Sequence, residues 1–201
     1  MAHNSAELAA LVGSRLCHDL ISPIGALQNG LELMSMAKTS ADEPEFQLIE
    51  DSCNHAIARI RLFRVAFGLA GEEQKLSAAD ILRLCADYTH GSRLRIEVDL
   101  AQDRLRPSVQ LGLLGVLCCE TFLPMGGEIR LTGTANGWEL TASGPKLAPE
   151  PELTSLLSDG QTSQPSNPAR VQFFLLGALC EDHGLAATVQ ASDEIIRLGI
   201  G

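Results

Sequence analysis

The stretch H-D-L-I-S-P-I-G-A, residues 18–26, lies in the middle of a long helical pattern. A proline inside a helix removes a backbone hydrogen bond and clashes with the carbonyl four residues earlier, which for Pro23 is that of Asp19. This can cost about 3 kcal/mol. A histidine, an adjacent carboxylate and this proline are unusual choices for an ordinary helix, so the stretch predicts a functional site.

Apolar residues around this stretch predict two long helices. The first has a seam with steps of four and three, formed by Leu20, Ile24, Leu27, Leu31 and Met34. The second has a longer seam of the same kind, formed by Phe46, Ile49, Cys53, Ala56, Ile60, Phe63, Phe67 and Ala70. Such seams are typical of helices packed in bundles. A break at residues 38–44 separates the two helices.

Two helices of this length form a hairpin that cannot bury apolar residues on more than one side. At about 30 residues each they would be roughly 45 Å long. The economical solution is a homodimer, in which two hairpins form a four-helix bundle. We therefore expect residues 1–70 to be a dimerisation domain.

A different pattern begins after Gly68–Lys75. The segment from Ser77 to Asp80 resembles a capping box, and Asn136-Gly137 is a strong hairpin-turn signal. Predicted helices cover 77–89, 107–123, 150–158 and 169–183, and predicted strands cover 94–100, 128–132, 138–142, 186–191 and 194–199. The fold class is therefore α+β, with the helical hairpin followed by an α/β sandwich over residues 76–201.

Composition excludes several function classes. The net charge of −10 argues against nucleic acid or an anionic membrane surface as the main partner. No apolar run reaches the roughly 18 residues that span a bilayer, and the N-terminus lacks the pattern of a secretory signal. The six cysteines show no metal-ligand spacing, which favours buried reduced thiols and a cytoplasmic location.

His18 is predicted to face away from the apolar seam, beside a strip of small residues that would let another protein approach closely. An imidazole with one free nitrogen can accept a phosphoryl group, and an adjacent carboxylate can fix its tautomer. Asp19 would have that role. Arginines near this level of the hairpin could steady a phosphoryl group or an acidic partner, or they could be surface residues without a special task. These are Arg15, Arg59 and Arg64, with Arg64 predicted about level with His18.

The run from residue 18 to residue 30 resembles the dimerisation and phosphotransfer domain of two-component sensor histidine kinases, whose motif is H-[ED]-[LI]-x-x-P. It is still more similar to the ChpT-type histidine phosphotransferases of alphaproteobacteria, and the resemblance extends along the whole chain. It implies a second domain shaped like a kinase ATP-binding domain that no longer binds nucleotide. It also implies transfer from the receiver aspartate of a hybrid histidine kinase to His18, and from there to response regulators.

Three segments of the second half lack the residues that a kinase uses to bind ATP. Residues 117–122 (L-C-C-E-T-F) contain no asparagine, 141–146 (T-A-S-G-P-K) lack the aspartate and second glycine, and 169–174 (A-R-V-Q-F-F) replace a glycine-rich box. The chain is therefore expected to bind no cofactor, with Mg²⁺ supplied by the receiver. An authentic ATP-dependent kinase fragment and a non-catalytic dimeric scaffold remain alternatives.

The resemblance assigns His18 and Asp19 as catalytic residues. The positions of the neighbouring residues on the two helices predict a receiver-docking face around them, formed by Ser14, Arg15, Ile21, Ser22, Gly25, Arg59 and Arg64.

Overall fold

The structure, a computed structural model, describes residues 2–37, 44–68, 73–158 and 167–201. Its helices are α1 (Ala2–Ala37), α2 (Pro44–Ala66), α3 (Ala78–Thr89), α4 (Arg106–Thr121), α5 (Pro151–Ser158) and α6 (Val171–Asp182), the last preceded by a 3-10 turn (Pro168–Arg170). Its strands are β1 (Lys75–Leu76), β2 (Leu94–Asp99), β3 (Arg104–Leu105), β4 (Gly127–Gly133), β5 (Trp138–Ser143), β6 (Ala187–Ala191) and β7 (Ile196–Ile200).

Five strands form a mixed sheet in the order β2-β4-β5-β7-β6. Strands β2 and β4 are parallel, which requires a crossover, and α4 lies between them in the chain. The other neighbours are antiparallel. The predicted combination of helices and a sheet is therefore confirmed, and the sheet is mixed. A second, two-stranded sheet of β1 and β3 is not predicted by the sequence, because two residues are too few to show alternation.

Two local signals are confirmed in detail. The Ser77 hydroxyl accepts a hydrogen bond from the backbone N–H of Asp80 at 3.1 Å, so Ser77 is the N-cap of α3. At the β4–β5 hairpin, the N–H of Thr134 donates to the carbonyl of Gly137 at 3.0 Å. Both signals lie within a few residues of the structure that they specify, which is why the sequence alone locates them.

One face of the sheet packs against the helices, and alternate strand residues form the core. Ile129, Leu140 and Ile196 are fully buried there, as is Leu113 of α4. Helix α4 approaches the sheet closely, because a Cβ added at Gly112 would lie 2.9 Å from Cε2 of Trp138. The sheet and α4 are thus held at a spacing that only glycine allows at this position.

The last turns of α2 belong to this same core, since Leu62, Phe63 and Ala66 are buried in it. Side chains of α4 donate hydrogen bonds to carbonyls in the last turn of α2 and to that of Gly68, two residues beyond it. Arg106 donates to Arg64 O at 2.8 Å, and Gln110 donates to Ala66 O at 3.0 Å and to Gly68 O at 3.1 Å. Carbonyls at a helix end lack partners within the helix, so these contacts fix α2 to α4.

Helices α1 and α2 pack against each other, yet much of their predicted seam is open to solvent in the single chain. Ile24, Leu31, Phe46 and Ile60 are 50%, 59%, 41% and 49% exposed. The break at 38–43 and Ala70 lie outside the described residues. None of the helices that the structure describes is long and apolar enough to cross a membrane.

The cysteines divide into two groups. Cys85, Cys118, Cys119 and Cys180 are free and buried, as expected, and burial raises the pKa of Cys85 and Cys119 to about 12. Cys53 is exposed in the single chain, which differs from the expectation for a seam position. The Cys17 side chain lies outside the described part.

Candidate functional site

The motif around residue 18 lies on α1, and Pro23 stands inside this helix without ending it. Of the residues at this level, Asp19 has the most defined surroundings. Its side chain is only 8% exposed, and Nε of Arg15 lies 2.9 Å from its Oδ2 atom, one helical turn away. Nη1 of Arg15 also donates a hydrogen bond to the carbonyl of Ala169 at 2.9 Å. Arg15 therefore connects the motif to the 3-10 turn before α6.

Helix α2 contributes Arg59 to the same place. Nη1 of Arg59 lies 3.9 Å from Oδ2 of Asp19. Its Cζ lies 5.3 Å from the centre of the Tyr88 ring, within the range of a cation–π interaction. The guanidinium is thus held between a carboxylate of α1 and an aromatic face of α3, and the side chain remains 35% exposed.

Tyr88 is itself anchored from α4, because its hydroxyl donates a hydrogen bond to Oε2 of Glu120 at 2.7 Å. Burial raises the pKa of Tyr88 well above its ordinary value, and the neighbouring Glu120 carboxylate raises it further. Burial also raises the pKa of Glu120, although the Tyr88 hydrogen bond and the arginines act in the opposite direction. We call Arg15, Asp19, Arg59, Tyr88 and Glu120 the Asp19 cluster.

A groove of about 370 Å³ opens beside this cluster, between α1, α2 and the turn from α3 to β2. Its walls are rich in hydroxyl, imidazole and guanidinium groups, with the His55 and His90 rings 6.4 Å apart. The lining residues are Asp19, Ser22, Pro23, Ala26, Ser52, His55, Arg59, Tyr88, His90, Gly91 and Ser92. Such a surface suits a polar loop of another protein better than an apolar ligand.

The structure brings together some of the predicted site residues. Asp19, Arg15 and Arg59 meet in the Asp19 cluster, and exposed Ser22 lines the groove. Gly25 faces open space, since a Cβ there would meet nothing within 4 Å.

Other predicted residues lie elsewhere or outside the description. Arg64 is exposed, and its described contact is through its main-chain carbonyl. The arginine of α2 that reaches the motif is Arg59, five positions earlier than Arg64. The backbone of α1 carries Ser14, His18 and Ile21, but their side chains lie outside the described part.

Sequence reasoning did not identify Tyr88, Glu120, His55 or His90 as site residues. A signal existed for the first two. Tyr88 shares the buried face of α3 with Ile81 and Cys85, and a buried tyrosine needs a partner for its hydroxyl. Glu120 is a single carboxylate at the end of a buried apolar helix. The two histidines carry no such signal in the sequence.

The segments that lack the ATP-binding boxes contribute to the core. Nε2 of Gln172 donates to Oγ1 of Thr121 at 2.9 Å, and the rings of Phe122 and Phe173 are 5.4 Å apart. Ala142 is fully buried in β5. Among the described residues, no group of histidine, cysteine, aspartate and glutamate side chains could hold a metal ion.

A family model, a relative in sequence and a solved structure are each described as a phosphotransferase. The family model described as histidine phosphotransferase C-terminal domain matches residues 78–195. The chain is 32% identical over 196 residues to protein phosphotransferase ChpT of Brucella abortus (strain 2308), covering 94% of this chain and 93% of that protein. It also resembles the solved structure of a bacterial phosphotransferase, with a TM-score of 0.81 and 31% identity over 98% of this chain and 96% of the other.

Proposed function

This chain belongs to the histidine phosphotransferase family, and from that premise we propose that His18 is the residue that carries the phosphoryl group. The protein is a phosphorelay histidine phosphotransferase and thus an enzyme of the transferase class. The proposal concerns which residue reacts, what donates and accepts the group, and how the chain assembles.

In the proposed reaction, a receiver domain of a hybrid histidine kinase docks with its phospho-aspartate against α1. A ring nitrogen of His18 forms a bond to phosphorus while the bond to the aspartate oxygen breaks, which leaves a free carboxylate on the donor. A response regulator then takes the group by the reverse reaction on its own aspartate. Phosphoryl transfer depends mainly on positioning and charge stabilisation, so little further covalent chemistry is needed.

Asp19 would orient the imidazole of His18. The ion pair with Arg15 would hold the carboxylate in one position for that contact. The receiver would supply Mg²⁺, and this chain would need no cofactor of its own. The core contacts of Gln172 and Phe173, in one of the three segments that lack ATP-binding residues, support this view.

The docking face would comprise the groove together with the predicted residues of α1 and α2. Ser22 and Gly25 leave room for a partner, and Arg15, Arg59 and Arg64 add positive charge to an acidic protein. Ser14 and Ile21 complete the predicted face. The observation that carries the proposal is that Asp19, next to His18, is fixed by two arginines at the edge of a polar groove.

The chain would act as a homodimer, in which the helical hairpin of residues 1–70 forms a four-helix bundle with a second copy. Support comes from the large apolar side chains that the single chain leaves exposed on α1 and α2, which are Ile24, Leu31, Leu33, Phe46, Leu48, Ile57 and Ile60. Exposed apolar surface of this extent marks an interaction site. Residues 76–201 would form the degenerate kinase-like domain.

The test is transfer of radiolabelled phosphoryl from a phosphorylated receiver domain to the full chain. Wild-type protein should become labelled, with the acid-labile and alkali-stable behaviour of phosphohistidine, and His18→Gln should abolish the label. His183→Gln, at an exposed helix end, is the matched control and should be labelled like wild type. Label that persists on His18→Gln would refute the assignment, and labelling by ATP alone would favour a kinase.

A further inference from the structure

We propose that Tyr88 and Glu120 are positioning residues for phosphoryl transfer, because together they hold the Arg59 guanidinium beside Asp19 at the reacting segment of α1. The inference rests on the proposed function and adds two residues of the α/β part to it. It gives that part of the chain a direct effect on the rate of the chemical step.

The contacts form a continuous chain across four helices. Glu120 of α4 accepts the Tyr88 hydroxyl of α3 at 2.7 Å, and this bond fixes the ring. The ring of Tyr88 supports the Arg59 guanidinium at 5.3 Å, and Arg59 lies 3.9 Å from the Asp19 carboxylate. Each helix thus contributes one group, so the position of Arg59 depends on the two helices behind it.

Arg59 has the properties required of a residue that stabilises a phosphoryl group. A guanidinium carries five N–H donors, and neither a ring face nor a contact at 3.9 Å uses all of them. The side chain is about one-third exposed, so part of it faces the groove. Charge stabilisation is strongest when the cation is fixed before the reaction, because no reorganisation is then needed.

Electrostatics links the same groups. The charges that act on Glu120 come from Arg59, Arg15 and Asp19, and those that act on Tyr88 come from Glu120, Arg59 and Asp19. The cluster contains two cations and two carboxyl groups around one phenol. Removal of the phenol hydroxyl breaks the bond to Glu120 while the ring stays packed near Phe63, so the guanidinium should be held less firmly.

A structural role alone would also explain a buried tyrosine–glutamate hydrogen bond, so the test must separate rate from stability. Single-turnover transfer from a phosphorylated receiver is measured over a range of receiver concentrations. Tyr88→Phe should lower the rate at saturating receiver about fivefold, while the half-saturating concentration changes less than about twofold. Glu120→Leu removes the acceptor from the other side and should show the same pattern.

Thr121→Val is the matched control, since it removes a partly buried hydroxyl next to Glu120, with its hydrogen bonds to Gln172 and to the carbonyl of Leu117. It should lower the unfolding temperature and leave the saturating rate at the wild-type value. Thermal unfolding of every variant shows that each is folded at the assay temperature.

A double mutant gives the decisive readout. Arg59→Ala should lower the saturating rate about tenfold or more, and Tyr88→Phe in that background should cause no further loss, because its effect passes through Arg59. Wild-type rates for Tyr88→Phe, or independent losses that multiply in the double mutant, would overturn the inference while His18→Gln still tests the proposed function separately. Label on His18→Gln would overturn the proposed function itself.

Discussion

The two helices α1 and α2 and the α/β part use the same apolar residue types with opposite results. Leu113 and Leu140 in the α/β part are fully buried, whereas Leu31 on α1 is 59% exposed. The change occurs within α2, where Ile60 is 49% exposed and Leu62 is fully buried. Among the described residues, one region therefore completes its own core, and the other leaves large apolar side chains exposed in the single chain.

The largest expected effect comes from the same substitution made in both regions. Leu113→Ala should lower the free energy of unfolding by about 2–5 kcal/mol, because it leaves a cavity in a fully buried part of the core. Leu31→Ala should cost less than about 0.5 kcal/mol in dilute protein, where the seam is already in water. Urea unfolding at low protein concentration measures both values.

The two substitutions should become more alike in their loss of unfolding free energy as the protein concentration rises, since association of chains would bury Leu31. If Leu113→Ala and Leu31→Ala lowered the free energy of unfolding equally in dilute protein, Leu31 would be as buried in the single chain as Leu113, and the comparison would fail.

A charge placed on the seam sharpens the same comparison. Leu31→Lys should weaken self-association at least about tenfold, because burying an ammonium group in an apolar interface is costly. Sedimentation equilibrium measures the change. Leu82→Lys is the matched control, since Leu82 is 54% exposed on α3 but lies outside the seam. Loss of association for the control alone would place the interface on the α/β part and contradict the proposed bundle.

The smallest effect concerns pH and the contact between the two regions. Burial raises the pKa of Glu120 above its ordinary value of 4.5, so the folded state holds this proton more tightly than the unfolded chain does. The stability from this group is therefore present below about pH 4.5 and is lost as the pH rises through the raised pKa. The stability of Glu120→Gln lacks this dependence on pH, because glutamine does not titrate.

The free energy of unfolding, wild type minus Glu120→Gln, should thus decrease as the pH is raised from 4 toward 8. Urea unfolding at a series of pH values measures this difference, with Glu139→Gln, at an exposed position of β5, as the matched control for the lost carboxylate. A difference that increases with pH would show that the charged form is favoured in the fold, contrary to the burial argument.

The sequence predicts those parts of the fold whose causes are local. Ser77 caps α3 through a backbone group three residues away, and Asn136-Gly137 turns a hairpin between adjacent strands. Alternation in β4 and β5 places Ile129 and Leu140 in the core. In each case the interacting groups lie close in the chain, or one periodic pattern specifies them.

The candidate site is less predictable because its contacts join distant residues. Asp19 and Arg59 are both predicted site residues, but their meeting depends on how α1 and α2 align across a break. The Tyr88–Glu120 hydrogen bond joins residues 32 positions apart. No periodicity predicts such a pair, although each residue alone is unusual in its helix.

The hydrogen bonds from Arg106 and Gln110 to the end of α2 have a consequence for partner exchange. Rotation of α2 relative to α4 would break these bonds and expose Leu62, so they resist movement of the α2 wall of the groove. A preformed surface loses little conformational entropy on association. Two partner proteins that bind in succession would then require no rearrangement of this wall of the groove between them.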